Sequence, residues 1–146
     1  MGRKHFTIAF PSEIYKVKSI IINTVEFIRS NLPSIDEEDL FDLRLIFSEL
    51  LCNAVIHGNK NDSNKNVSLT VELEDNTVFS IISDEGYGFD YTNLLVKTKS
   101  ETSLYKDRGR GILLVNSLTD SMIFNGKGNE IKFYKKVNVH GQNFDS

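Results

Sequence analysis

Glu49-Leu50-Leu51-Cys52-Asn53-Ala54-Val55-Ile56-His57-Gly58 is the stretch on which the reading of this chain turns. A carboxylate, a carboxamide and an imidazole stand at i, i+4 and i+8. On a helix they drift by only about 80° around the axis and form one polar stripe. The preceding residues predict that helix. Ile35-Asp36-Glu37-Glu38-Asp39 places acids where they complement the helix dipole, Leu40, Leu43, Ile46, Phe47, Leu50, Leu51 and Ala54 supply an apolar face, and Gly58 stops it. Two Gly-x-Gly turns lie downstream, in Asp84-Glu85-Gly86-Tyr87-Gly88 and in Arg108-Gly109-Arg110-Gly111. Without a Cβ, backbone at these turns can come close to a ligand. Four of the nine glycines fall in these two boxes, and with the polar stripe they describe a nucleotide pocket.

Outward from these blocks, period-2 and period-3.6 patterns alternate. Phe6-Thr7-Ile8-Ala9-Phe10 reads as an edge strand that Pro11-Ser12 turns into a helix from Ile14 to about Asn31, with apolar Val17, Ile20, Ile21, Val25 and Ile28. Asn59 to Asn66 is a polar loop. Val67 to Leu73 alternates strictly, Glu74-Asp75-Asn76 turns, and Thr77 to Ser83 returns, so the first glycine box sits at the carboxyl end of a strand, a usual ligand position in layered folds. Asn93 to Asp107 is expected to form a short helix and a mobile loop covering the site. A helix follows from Arg108 through Leu118. Met122-Ile123-Phe124 and Ile131 to Lys135 make a final hairpin, and the polar tail from Asn138 is expected to fray.

Composition narrows the function classes. With 146 residues, 40% hydrophobic and 10% aromatic, the chain suits a single domain over 1–146 with its core at about 6–136. Lys plus Arg number 17 against 20 Asp plus Glu, the net charge is −3, and no basic stripe stands ready for phosphates, which excludes nucleic acid as a partner. No run approaches the roughly 18 apolar residues that span a bilayer, the first residues are polar, and the lone Cys52 forms no internal disulfide. A cytoplasmic protein without a membrane partner is expected.

Taken singly, each motif has a plain alternative. Glu49 could be a solvated charge on an amphipathic helix, His57 a cation near a helix C-terminus, Asp84 the start of an Asx turn, and Cys52 a small buried helix residue. Asn53 is harder to dismiss, because Asn in a helix interior is unfavourable unless its side chain has other work. The blocks in this order and spacing are far more specific than any one of them.

On those blocks the chain resembles the histidine-kinase-like (GHKL) ATPase superfamily. Glu49 to Gly58 is similar to its N box, Asp84 to Gly88 to its first glycine box, and Arg108 to Gly111 with Ile112 to its second. Within that group, the Glu-Leu-Leu-x-Asn-Ala-x-x-His-Gly form and the Gly-Arg-Gly-Ile-Leu-Leu-Val helix look most like the bacterial anti-sigma factor serine/threonine-protein kinases. The resemblance implies an α/β (α+β) two-layer sandwich of the Bergerat type. Its sheet would be mixed, mostly antiparallel and five-stranded, covered on one face by three main helices.

The resemblance also implies roles. Glu49 would be the catalytic base that polarises a protein serine hydroxyl. Asn53 would ligate Mg²⁺, which takes oxygen donors and keeps few protein ligands when phosphates supply the rest. Asp84 would accept from the adenine amine, with Gly86 and Gly88 against adenine and ribose. Gly109 and Gly111 would present N–H groups to the phosphates of ATP. His57 would border the nucleotide, and Arg108 and Arg110 would either reach the γ-phosphate or stand as solvated lid charges. The implied partners are a sigma factor and an anti-anti-sigma protein, in a homodimer formed through the N-terminal edge of the sheet and the first helix. The alternative is a non-catalytic ATP-dependent switch or an orphan GHKL ATPase domain.

Overall fold

Strict alternation builds the sheet. The computed structural model describes residues 3–88 and 108–141, and of 108–110 the backbone alone. β2 (Asn66–Glu74) buries Val67, Leu69, Val71 and Leu73 and turns Ser68, Thr70 and Glu72 to the other face. Its hairpin partner β3 (Thr77–Ser83) buries Val78, Ser80 and Ile82. Asp75 and Asn76 join them at φ 51° and 61°, the left-handed pair that a two-residue type I′ turn demands.

β1 (Lys4–Pro11) pairs with β2 and forms one edge, as expected of Phe6 to Phe10. β5 (Glu130–Lys136) pairs with β3, and β4 (Ser121–Phe124) pairs with β5, giving the order β1-β2-β3-β5-β4. All four pairings are antiparallel, so the parallel pair that a mixed sheet would contain is not present among the described strands. The closing hairpin explains this. β3 and β4 share a direction, but β5 folds back from β4 and inserts between them.

Three helices cover one face, which gives the two-layer α+β class expected. α1 (Val17–Asn31), entered through a 3₁₀ turn at Ile14–Lys16, buries Val17, Ile20, Val25 and Ile28. α2 (Glu37–Asn53) buries Leu40, Leu43, Ile46, Phe47, Leu50 and Leu51, and α3 (Arg108–Leu118) buries Ile112 and Val115. Phe47 of α2 packs on Phe133 of β5 with ring centroids 5.6 Å apart. The buried Lys135 of β5 donates from Nζ to Leu118 O at 2.8 Å, a cation at the C-terminus of α3, and stands 3.8 Å from Asp42 of α2. One side chain thus ties both site-bearing helices to the sheet.

Two local expectations are corrected. The helix read as continuous to Gly58 stays α-helical only to Asn53, and Ala54–Gly58 is a π-helical turn closed by Asn59 N–H donating to Ala54 O at 2.8 Å. The wider turn replaces the 100° step of the α-helix between Asn53 and His57. The segment from Asn138, expected to fray, is pinned as far as His140 to the start of α2. Asn138 N–H donates to Asp39 Oδ2 at 2.7 Å, His140 N–H donates to Ser34 O at 2.8 Å, and Val139 bridges Ile35. Its polar residues find backbone and carboxylate partners where a solvated tail was expected. The cover expected at Asn93 to Asp107 lies outside the described residues. No helix among the described residues is long and apolar enough to cross a membrane.

Candidate functional site

The carboxyl end of β3 delivers Asp84 to the end of the N box. Asp84 N–H donates to Asn129 O at 2.9 Å, and Asp84 Oδ1 accepts from Gly86 N–H at 2.8 Å, an Asx turn. Asn129 Nδ2 donates to Asp84 O at 3.2 Å and to Gly86 O at 3.3 Å, so the β4–β5 hairpin holds the first glycine box by its backbone. Gly58 lies directly against the Asp84 carboxylate, where a Cβ would overlap it, and Gly86 lies against the carbonyl of Gly58. Gly88 has φ +97° and backs onto the Lys127 carbonyl, a close approach in a conformation that L side chains resist.

α2 brings the other half. Glu49 and Asn53 are one turn apart, and the Glu49 carboxylate rests on Gly111 in the first turn of α3, where any Cβ would collide with Oε1. The first four N–H groups of a helix lack intrahelical acceptors and carry its positive dipole end. A carboxylate beside that turn is favoured there, and so is a phosphate. Arg108, Gly109 and Arg110 open α3 with their backbone, but the side chains of Arg108 and Arg110 lie outside the described residues. His57 sits half-buried on the π turn.

Asn53 is 5% exposed, and among the described residues its Nδ2 is the buried side-chain nitrogen or oxygen that lacks a hydrogen-bond partner. An orphaned buried amide costs roughly 1–3 kcal/mol, which a ligand can offset. A half-turn of the carboxamide exchanges nitrogen for oxygen, so the same position can present the oxygen donor that Mg²⁺ takes. Among the described residues no group of three or more His, Cys, Asp or Glu is placed to hold a metal ion.

Cys52 reports on the charge at Glu49. Burial pushes its thiol above the ordinary value, the Glu49 carboxylate adds to the rise, and a hydrogen bond with Ser48 opposes it. Since the thiolate is the nucleophile, iodoacetamide should alkylate Cys52 more slowly in the folded chain than in the denatured chain at the same pH. Glu49→Gln removes one cause of the rise and should accelerate the reaction. An unchanged rate in that variant would show that the carboxylate does not act on the thiol.

Glu49 therefore meets Gly111, with Asn53 one turn further along the same helix, while Asp84 and Gly86 meet Gly58 at the end of the π turn that follows Asn53. Three residues of this framework were missed from the sequence. By sequence Gly58 is only a helix stop and Asn59 only the start of a polar loop, and nothing in the pattern singles out Asn129. The one signal for Asn59 was its place directly after the His-Gly pair.

The sequence profile described as "Histidine kinase-like ATPase domain" matches residues 10–135. The anti-sigma F factor of Geobacillus kaustophilus is 30% identical over 113 residues, which cover 75% of this chain and 74% of that protein. The serine-protein kinase RsbW of Staphylococcus epidermidis is 32% identical over 116 residues, covering 70% of each. The anti-sigma F factor of Shouchella clausii reaches 47% identity over 51 residues, 35% of each chain.

Proposed function

Because this chain belongs to the histidine kinase-like ATPase domain family, we propose that it is an ATP-dependent anti-sigma factor. It sequesters a sigma factor and phosphorylates a serine on the anti-anti-sigma protein that opposes it. The observation that carries this reading is the junction of Glu49 with the first turn of α3, one helical turn from the unsatisfied amide of Asn53. A general base, a metal ligand and a phosphate-binding helix start share one small region there. The relatives named as anti-sigma factors and as a serine-protein kinase support the biological setting.

Each residue has a task in phosphoryl transfer. Asp84 accepts from the adenine amine, and Gly86 and Gly88 let the backbone pass close to the base and ribose. Gly109 and Gly111 present N–H groups to the phosphates, His57 borders the nucleotide, and Arg108 and Arg110 add positive charge at the γ-phosphate. Asn53 would hold Mg²⁺, which would supply neutralisation of phosphate charge and orientation of the transferring group. Glu49 takes the proton of the serine hydroxyl as its oxygen bonds to the γ-phosphorus and the bond to ADP breaks. The chain works in the cytoplasm as a homodimer through β1 and α1, and among the described strands β1 pairs only with β2, leaving its outer edge open to a second copy.

Asp84→Asn tests the base assignment. Losing a charge-assisted acceptor costs roughly 1.5–3 kcal/mol, so calorimetry should show MgATP bound about ten- to a hundredfold more weakly. Unchanged affinity would remove Asp84 from the site. With γ-labelled ATP, a kinase transfers label to the antagonist's serine, whereas a non-catalytic switch transfers none.

A further inference from the structure

We propose that Asn59 is a positioning residue that sets base selectivity by clamping the Asp84–Gly86 turn, an inference that rests on Asp84 as the adenine acceptor. Asn59 is 1% exposed, and its side chain makes three hydrogen bonds at once. Nδ2 donates to Ser12 Oγ at 2.7 Å and to Asn66 O at 3.0 Å, while Oδ1 accepts from Glu85 N–H at 2.7 Å. The polarity of this chain of bonds is set from its far end. Ser12 spends its proton on Lys65 O at 2.7 Å, so its oxygen must accept from Asn59, and the amide can only direct Oδ1 at Glu85.

One side chain therefore joins the end of β1, the start of β2, the π turn and the glycine turn. Asn129 holds the same turn from the opposite side, through the carbonyls of Asp84 and Gly86. Between these two clamps the direction of the Asp84 carboxylate is preset before a base arrives. Preorganised acceptors discriminate strongly, because a mismatched partner leaves a polar group unpaired. ITP supplies the mismatch: it carries a carbonyl oxygen where ATP carries the exocyclic amine.

Calorimetric affinities for ATP and ITP, with thermal midpoints, should be measured for the wild-type chain, Asn59→Ala, Asn59→Asp and Ser12→Ala. Asn59→Ala should lose about tenfold in its preference for ATP over ITP. Asn59→Asp keeps the acceptor for Glu85 N–H while losing both Nδ2 donations, and Ser12→Ala leaves the Glu85 bond intact. Both should hold the preference within about twofold although all three variants melt earlier. A preference that falls in step with the midpoint across the variants, or that survives in Asn59→Ala, overturns the proposal.

If Asn59→Ala does not fold, amide exchange decides. Glu85 N–H should be protected in the wild-type chain and in Asn59→Asp, and exchange at the unstructured rate in the wild type overturns the clamp. A wild-type chain that binds neither nucleotide overturns the adenine reading and this proposal with it. A selective wild type with an equally selective Asn59→Ala overturns this proposal alone.

Discussion

Glu49→Gln should phosphorylate the antagonist about 10²–10⁴-fold more slowly than the wild-type chain while binding MgATP almost unchanged. The amide keeps the shape of the carboxylate and much of its hydrogen bonding but has no basicity at neutral pH. Gln also leaves the junction with Gly111 sterically as it was, since the Cβ-free contact there involves an atom that both side chains possess. A drop in rate without a drop in affinity places the lost interaction in the transition state. Wild-type transfer by Glu49→Gln would remove the base from the scheme and favour an ATP-dependent switch. The Cys52 alkylation rate in the same variant shows separately whether the negative charge is gone.

Phe47→Ala should lower the unfolding free energy by about 3–5 kcal/mol, measured by denaturant titration. Phe47 is fully buried, packs on Phe133 and lies two residues before Glu49, so it fixes the height of α2 above the sheet. A cavity here removes both the transfer free energy of the ring and the contacts that a rigid neighbourhood cannot restore. For a domain of this size such a loss is a large part of the whole stability. A loss below about 1 kcal/mol would show that β5 and α2 can close over the gap, and that the aromatic pair does not hold the helix in place.

Everything legible in the sequence was local. The alternation of Val67, Leu69, Val71 and Leu73 required one buried face, and with Asp75 and Asn76 it required a tight hairpin. The apolar period from Leu40 to Ala54 required a helix on that face, and the three motif blocks marked which ends of these elements would meet a ligand. Each of those readings uses neighbours within a few residues, where side-chain period and turn chemistry act directly. The resemblance in the N box and glycine boxes supplied the rest of the expected class.

Tertiary structure alone decided what those ends rest on. Asn59 reaches Ser12 across 47 positions and Glu85 across 26, and Asn129 reaches Asp84 across 45. No period or turn rule connects residues at such separations, and a polar Asn in a polar loop reads the same whether it is solvated or buried. The π turn was hidden for a related reason, since Ala54 to Gly58 fits a regular helix locally. The insertion of β5 between β3 and β4 likewise follows from how hairpins and helices close over one core. The chain's own pattern thus determined its elements and its chemistry-bearing ends, while long-range hydrogen bonds and packing decided how those ends are held, because only the folded chain brings the distant partners together.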